Sequence, residues 1–307
     1  MTKTCQVVLL DTKGVNMSDT WINYGTGEMR SDLVPLEELR KRQENKLRQN
    51  KGFKYAQHEI LPLPGFLQEE YGNFINSRYL ALLEKLNYDT ATAFRFIYLC
   101  TFMNYNDGHV VWKGRVVDDS YLADIFNVNK NTIIKIKTKL YENELIYKDS
   151  KGYIYINNNY CYRGDISDNP IYKKQYTRIF NNSIRELYNK SSDSREHKML
   201  GKFILLLPYI NVYHNIICLN IKERDIDKLV VPNSVQMDEI LHTSSRNYMR
   251  QMNELLDIMV GGEPAVLVIN HKNVRMYAVN PRIYYGGTKL SDVETLSGYF
   301  RAKGGLD

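Results

Sequence analysis

The sequence predicts an α+β fold, mostly α-helical with small β-hairpins, in which one order of elements occurs twice. Three observations support this. Apolar residues recur at helical spacing in several segments. Short alternating runs flank turn residues such as Asp149-Ser150-Lys151-Gly152. The pattern of residues 76–165 also returns after residue 195, as a diverged internal duplication would.

The first pass has the order helix, short strand, helix, tight turn, helix and hairpin. These elements are expected at residues 90–105, 109–112, 119–126, 127–129, 130–143 and 145–157. Asp119 or Ser120 is expected to cap the second helix, because short polar side chains accept hydrogen bonds from free amides at a helix start. Gly152 suits the hairpin turn, which needs a positive φ.

The second pass repeats this order with a charged insertion at residues 222–232. Its elements are expected at residues 200–212, 215–219, 235–241, 242–244, 245–259 and 266–279. Both passes end in similar runs, Asn157-Asn158-Asn159-Tyr160-Cys161-Tyr162-Arg163-Gly164 and Asn280-Pro281-Arg282-Ile283-Tyr284-Tyr285-Gly286-Gly287. This element order is that of the winged helix, whose middle helices form a helix-turn-helix.

Two tandem winged-helix domains are therefore expected, at residues 76–165 and 196–290. Residues 1–75 are expected to form an N-terminal extension with a strand at 6–10 and a charged helix at 35–49. That helix is either solvated or a partner-binding or DNA-contacting arm. Residues 166–195 are expected to link the domains through an amphipathic helix over 176–188, whose apolar face joins the core or forms a dimer seam. Residues 291–307 are expected to be a C-terminal tail.

The composition permits a nucleic-acid partner without requiring one. The chain of 307 residues carries 41 Lys and Arg against 35 Asp and Glu, a net charge of +6. No stretch is long and apolar enough to span a membrane, and the N-terminal apolar run is too short for a signal peptide. We therefore expect a cytoplasmic protein with no membrane partner, whose 4 widely spaced cysteines serve as small buried hydrophobic residues.

The helix at 130–143 is the stronger candidate for contact with DNA. Ile133, Ile136 and Leu140 fall on one face of it, which must pack against the first helix of the domain. The predicted DNA-contacting residues lie outside that face: Lys130, Asn131, Thr132, Lys135, Thr138 and Lys139. Lysines suit phosphates, Asn suits adenine, and Thr suits the thymine methyl group.

The helix at 245–259 is the weaker candidate. Met249, Met252, Leu256 and Met259 are expected on its core side, and its predicted DNA-contacting residues are Ser245, Arg246, Asn247 and Arg250. Glu254 and Asp257 share the outward face, so a domain that only dimerises or binds protein is the alternative. The hairpin tips add Lys148 and Lys151 in the first domain, and Lys272 and Arg275 in the second.

The sequence lacks the motifs of the common enzyme and metal-site classes. Its glycines do not have the spacing of phosphate-binding loops, and no His-Glu-x-x-His or paired Cys motif is present. His242 followed by Arg246 is one residue too wide for the His-x-x-Arg of tyrosine recombinases. We expect no enzymatic activity, no cofactor and no metal.

The run of residues 121–164 ends in a hydrophobic hairpin and Asn157-x-x-Tyr160-x-Tyr162-x-Gly164. It resembles the winged-helix portion of RepL-like replication proteins of firmicute plasmids, and winged-helix replication and regulatory proteins of low-GC phages. The segment 178–188 and Leu206-Leu207-Pro208-Tyr209 resemble such phage proteins too. The resemblance covers residues 76–290 and implies recognition of repeated or palindromic sites at an origin or operator. It does not extend to the first 75 residues, and RepL-like proteins have one such domain where this chain has two.

The resulting hypothesis is a sequence-specific double-stranded DNA-binding protein of a phage or plasmid, acting as a replication initiator in the bacterial cytoplasm. One alternative is a transcriptional repressor or regulator that binds operator repeats. The other is a protein-interaction scaffold that does not bind DNA.

Overall fold

The computed structural model describes residues 21–22, 29–30, 67, 71–105, 107–166, 171, 176–191, 193–243, 248–286 and 290–304. The chain divides into two compact units, Met1–Leu61 and Pro62–Asp307. In the first unit, strands β1 (Trp21–Ile22) and β2 (Met29–Arg30) pair antiparallel. The strand expected at residues 6–10 and the helix expected at 35–49 lie outside the described residues.

Residues 74–162, here named the first repeat, contain the elements expected for the first pass together with a strand before them. In chain order they are β3 (Phe74–Ser77), α1 (Tyr79–Lys85), α2 (Thr90–Cys100), β4 (Val111–Trp112), β5 (Arg115–Val116), a 3-10 turn (Asp119–Tyr121), α3 (Leu122–Phe126), α4 (Lys130–Glu142), β6 (Ile146–Lys148), β7 (Ile154–Ile156) and β8 (Cys161–Tyr162). The hairpin β6–β7 gains a third strand, because Val110 N donates to Ile154 O at 3.1 Å and Ile156 N donates to Gly108 O at 2.9 Å.

Residues 177–284, here named the second repeat, share with the first the order of a strand, four helices and a final hairpin. They contain β9 (Thr177–Phe180), α5 (Asn181–Lys190), α6 (Ser194–Leu206), two 3-10 turns (Leu207–Tyr209 and Ile226–Lys228), α7 (Ser234–Ile240), α8 (Tyr248–Leu256), β10 (Met259–Val260), β11 (Glu263–Pro264), β12 (Val266–His271) and β13 (Val274–Val279). A final helix, α9 (Leu290–Gly304), follows. The described residues thus form an α+β fold of helices and small antiparallel sheets, as the sequence predicts.

The two repeats make the same backbone hydrogen bonds at matching positions. Val111 N donates to Phe102 O, and 107 residues further along Cys218 N donates to Tyr209 O. The other matched pairs are Asn104 N–His109 O with Asn211 N–Ile216 O, Ile156 N–Gly108 O with Val279 N–Asn215 O, and Tyr160 N–Asn157 O with Ile283 N–Asn280 O. Sequence identity between the passes is low, so the duplication is clearer in hydrogen bonding than in side chains.

Strands β3 and β9 join the repeats symmetrically. They pair antiparallel, with Phe74 opposite Phe180 and Asn76 opposite Arg178. Equivalent residues lie 102 apart here, since Arg78 N–Tyr160 O matches Phe180 N–Ile283 O. Antiparallel pairing of two equivalent strands relates them by a local two-fold axis, which passes through the Asn76–Arg178 pair.

Helices α2 and α6 form the largest helix–helix contact. Gly201 allows it, because a Cβ at this position would overlap the carbonyl oxygen of Thr90. The ring of Tyr98 stacks on that of Tyr188, with centroids 3.6 Å apart, and Tyr188 Oη donates to Phe126 O at 3.0 Å. The repeats therefore share one apolar core, to which helices from both contribute.

The linking segment differs from its prediction. Residues 176–188 were expected to form one helix, but residues 177–180 are strand β9 and the helix begins at Asn181. The apolar positions Ile179 and Phe180 are buried in both interpretations. Residues 177–180 form a strand rather than a helix because their backbone amides pair with the edge of β3. Such a long-range partner overrides the local helical preference and is not visible in the spacing of apolar residues.

Three element boundaries are also corrected. Helix α2 ends at Cys100 rather than residue 105, because the chain that follows it forms hydrogen bonds with His109 and Val111. The strand expected at 215–219 is limited to isolated bridges at Ile216 and Ile217. The expected C-terminal tail contains helix α9, which buries Val293 and Phe300.

The cysteines within the described residues, Cys100, Cys161 and Cys218, are buried and free, as predicted for small hydrophobic residues. Cys5 lies outside the described residues. In the described part of the chain, every helix is too short or too polar to cross a membrane.

Candidate nucleic-acid interface

Helix α4 starts and packs as its sequence predicts. The preceding turn places Asn127 in the left-handed region, with φ 48°, and the Asn129 side chain then caps the helix by accepting from Thr132 N at 2.9 Å. Ile133, Ile136 and Leu140 are buried against the rest of the first repeat. This packing settles which side of α4 faces outward.

The outward side of α4, here named the α4 face, carries most of the predicted contact residues. Lys130, Asn131, Lys135 and Thr138 are exposed, and Thr132 is half-buried. Lys130 and Lys135 form no ion pair with any described residue. The face also holds Ile134, which is 53% exposed. Ile134 was not among the predicted contact residues, although its offset from the buried stripe is visible on the helical wheel.

Lys139 is exposed but already paired. Its Nζ forms an ion pair with Asp89, whose side chain also caps helix α2 through Thr92 N. Burial opposes ionisation of Asp89, but the hydrogen bonds from Lys139 and Thr92 outweigh it and lower its pKa. Lys139 therefore ties α4 to the start of α2, and DNA would have to compete with Asp89 for its charge.

Asp119 ties the hairpin to α4. Its carboxylate accepts from Lys137 Nζ at 2.8 Å, Lys148 Nζ at 2.9 Å and Tyr141 Oη at 2.6 Å. Burial acts to raise its pKa, but these three donors outweigh burial and lower it. The expected cap at this position is corrected. The 3-10 turn that begins at Asp119 is capped by Asp118, which accepts from Ser120 N, rather than by Asp119 or Ser120. Of the predicted hairpin lysines, Lys148 is thus engaged, and Lys151 is exposed with no described ion pair.

The hairpin β4–β5 adds two basic side chains that sequence analysis did not single out. Lys113 and Gly114 form its two-residue turn, with φ values of 48° and 77°, and Arg115 begins β5. A Cβ built on Gly114 would meet nothing within 4 Å, so the tip projects into open space. Lys113 and Arg115 are both exposed. The signal in the sequence was Lys113-Gly114 between alternating residues, which favours a type I′ turn.

The second helix with predicted DNA-contacting residues is only partly described. Ser245, Arg246 and Asn247 lie outside the described residues, so their predicted role stays a prediction. Arg250 is exposed, with its Nε 3.9 Å from Glu254 Oε1. Its charge is therefore less free than that of Lys130 or Lys135.

The core side predicted for this helix is partly wrong. Met252 is buried, but Met249 is 44% exposed and Met259 also lies at the surface. Helix α8 ends at Leu256, so Met259 belongs to strand β10 and is not on the helical wheel at all. The inward stripe of α8 uses Leu255, which is 1% exposed.

The basic side chains at the tip of the second hairpin pair with an acidic residue from another segment. Lys272 and Asn273 form a two-residue turn with positive φ values of 46° and 67°. Asp227, from the charged insertion, accepts from Lys272 Nζ at 2.5 Å and from His271 Nε2 at 2.6 Å. These hydrogen bonds lower the pKa of Asp227. The remaining predicted residue, Arg275, is exposed and lies 5.4 Å from the ring of Tyr277.

No group of three or more potential ligands among the described residues could hold a metal ion. Comparison of the chain with protein-family models, with curated proteins and with solved structures gives no match.

Proposed function

We propose that the chain is a sequence-specific double-stranded DNA-binding protein built from two winged-helix units, with α4 as its main reading helix. The α4 face carries the proposal. It combines an apolar side fixed in the core with an outward side whose Lys130 and Lys135 have no ion pair among the described residues. Asn131 beside them suits adenine, and the exposed Ile134 suits a thymine methyl group.

The surrounding elements support this assignment. A helix, a strand joined to the hairpin, two helices separated by a short turn, and the hairpin itself occur in that order in both repeats. This is the order of the winged helix, in which the third helix enters the major groove. Lys113, Arg115 and Lys151 extend the positive charge beyond α4 and suit the DNA backbone.

The proposed biological role is a phage or plasmid replication initiator that binds origin repeats in the bacterial cytoplasm. Control of transcription at operator repeats is the second candidate, since the same DNA-reading geometry serves it. Sequencing the genomic fragments that the purified protein retains separates the two roles. An origin is expected, whereas promoter fragments would favour the regulator.

The α4 face is tested by Lys130→Gln with Lys135→Gln. Both side chains are exposed, so unfolding free energy should change by less than about 0.5 kcal/mol. Affinity for a selected duplex should fall at least about tenfold, and the salt dependence should weaken by about 0.9 per lost phosphate contact.

Lys190→Gln with Lys303→Gln is the charge-matched control, because it removes two positive charges from exposed lysines outside the α4 face; Lys190 differs in pairing with Glu186. The control should bind DNA nearly as well as the unmodified chain. If both double variants lost the same DNA affinity, net charge rather than the α4 face would explain binding. Absence of duplex binding by the unmodified chain would favour a scaffold, with Ile134 and Met249 as partner contacts.

A further inference from the structure

A cavity of about 350 Å³ lies between the start of the first repeat and the end of the second. Its wall is formed by the segment after β3, by β9, by the chain around Pro208 and Lys222, and by residues 284–286. This volume lies within the range of pockets that hold small molecules. None of these wall residues belongs to the α4 face.

The wall is cationic. It contains Arg78, Arg178 and Lys222, and no carboxylate is present among the described residues that line it. Arg78 donates one hydrogen bond to Asn159 O at 3.1 Å. Arg178 places its guanidinium 4.7 Å from the Phe74 ring, and its Nε is buried without a hydrogen-bond partner in the described structure. A buried donor without an acceptor is costly, so an anion in the cavity would be stabilised.

Tyrosine rings form much of the remaining wall. Tyr176 is partly exposed, whereas Tyr284 and Tyr285 are largely buried behind the surface. A Cβ at Gly286 would lie 2.6 Å from Tyr284 Oη, so glycine leaves room for that hydroxyl. Aromatic side chains beside cations suit a ligand that joins a planar ring to a negative group.

The equivalent place in the first repeat is filled. Matched hydrogen bonds run 123 residues apart at the end of each repeat, which makes Arg163 the counterpart of Gly286. Arg163 donates to Met103 O at 2.7 Å, and Arg185 donates to Thr101 O at 2.6 Å. Arg163 from the first repeat and Arg185 from α5 thus bond to carbonyls just after helix α2, where the second repeat has Gly286 beside the cavity. The cavity is a divergence between the repeats.

A second cavity, of about 590 Å³ between α6 and α8, does not have this purely cationic wall. Its wall mixes Arg195, Lys198, Lys202 and Arg250 with carboxylates. Asp193, Glu196 and Glu254 supply those negative charges. The cationic groups there have anions beside them, so an anionic ligand gains less.

We propose that the cavity between the repeats binds a small phosphorylated ligand with a planar ring, of the nucleotide class. Its phosphates would contact Arg78, Arg178 and Lys222, and its ring would lie against the tyrosine wall. This binding is an activity separate from duplex recognition, since it uses none of the α4 face.

Calorimetric titration of the full chain with the four ribonucleoside diphosphates, each separately, tests the proposal. At least one should bind with a Kd below about 1 mM. The free nucleoside has only the ring and inorganic pyrophosphate has only the phosphates, so each should bind at least about tenfold more weakly than the diphosphate. If no diphosphate binds, or if pyrophosphate alone binds equally well, the proposal is overturned.

Variants locate the site. Lys222→Gln removes a cation that has no ion pair among the described residues, so the fold should be unaffected, and nucleotide affinity should fall about tenfold. Arg178→Gln should have at least the same effect. Lys228→Gln is the matched control from the same segment, because Lys228 is exposed outside the cavity wall. If Lys222→Gln and Arg178→Gln both keep the nucleotide affinity of the unmodified chain, the nucleotide binds outside this cavity and the proposal is overturned.

Discussion

Gly201 is the residue that lets helices α2 and α6 approach at backbone distance. Tyr79 Oη donates to its carbonyl at 2.7 Å, and Thr90 Oγ1 donates to Lys198 O at 3.0 Å beside it. A methyl group here meets backbone rather than a flexible side chain, so the helices themselves would have to separate. This single glycine therefore bears on how the two repeats pack.

We predict that Gly201→Ala lowers the free energy of unfolding by about 2 kcal/mol or more, as overpacking in a core does. Gly298→Ala in α9 is the control, because a Cβ there meets nothing within 4 Å and alanine favours helix by up to about 1 kcal/mol. Urea unfolding of both variants measures the difference. Equal stability of Gly201→Ala and the unmodified chain would mean that the helices have room to spare.

His197 couples stability to pH. Its ring stacks on Tyr188 with centroids 4.6 Å apart, and Arg95 Nε donates to its Nδ1 at 3.2 Å. Burial, with the nearby charge of Arg95, lowers its pKa from 6.5 to about 4. Between those values the unfolded chain binds the proton more tightly than the folded chain, so the stability present above pH 6.5 is lost as pH falls towards 4.

We expect this histidine to remove about 2 kcal/mol of stability between about pH 7 and pH 5. His197→Gln keeps an acceptor for Arg95 but does not titrate, so its stability should change less across that range. The carboxylates with lowered pKa values act at lower pH and are common to both proteins. If the unfolding free energy of His197→Gln depends on pH as strongly as that of the unmodified chain, protonation of His197 does not destabilise the fold.

At the residue scale, the sequence predicted which side of α4 is buried but not which lysines are engaged. Periodicity alone identifies Ile133, Ile136 and Leu140. The partners of Lys139 and Lys148 are Asp89 and Asp119, which come from distant parts of the chain. Such ion pairs depend on tertiary packing, so no local pattern could reveal them.

At the scale of elements, tight turns and the longer helices of the two passes were predictable, and sheet partners were not. Lys272-Asn273 and the segment around Gly152 lie in turns where positive φ values are required. Strand β9 was mistaken for helix because its apolar residues fit a helical stripe, and its partner β3 is about a hundred residues earlier. Long-range pairing overrides local preference.

The second hairpin supplies a prediction at this scale. Asp227 pairs with Lys272 and His271, so under the proposed function a DNA phosphate would have to compete with it for these side chains. Asp227→Asn should release the charge of Lys272, which raises DNA affinity and steepens the salt dependence by about 0.9 if one phosphate contact is gained. Fluorescence anisotropy with a selected duplex measures both quantities.

Asp225→Asn is the control for Asp227→Asn, because Asp225 lies in the same segment and pairs with Lys228 instead. It also removes one negative charge. If both variants bind DNA with the same increase, net charge explains the effect and the second hairpin makes no contact.

At the scale of the whole molecule, the local two-fold axis between β3 and β9 sets the orientation of half-sites that the proposed function requires. Two equivalent readers related by a two-fold axis match half-sites in inverted orientation. Helices α4 and α8 differ in sequence, so the two half-sites should differ as well. The sequence indicated the duplication, but the symmetry depends on the strand register, which only the structure provides.

We predict that sequences selected from random duplexes contain two unequal half-sites in inverted orientation, with centres about one helical turn (~34 Å) apart. Reversing one half-site to make a direct repeat should weaken binding at least about tenfold, since one reader then loses its base contacts. If the direct repeat binds equally well, only one repeat reads DNA or the two read it independently.

The central claim, that this chain binds duplex DNA through exposed basic side chains, is tested most directly by the salt dependence of affinity. Lys130, Lys135, Lys151, Lys113 and Arg115 are the exposed basic side chains assigned to the first repeat's interface. If each contacts one phosphate, log K should fall with log salt concentration with a slope of about −4.5. Absence of duplex binding at about 50 mM salt, or an affinity that does not change with salt, would contradict the claim.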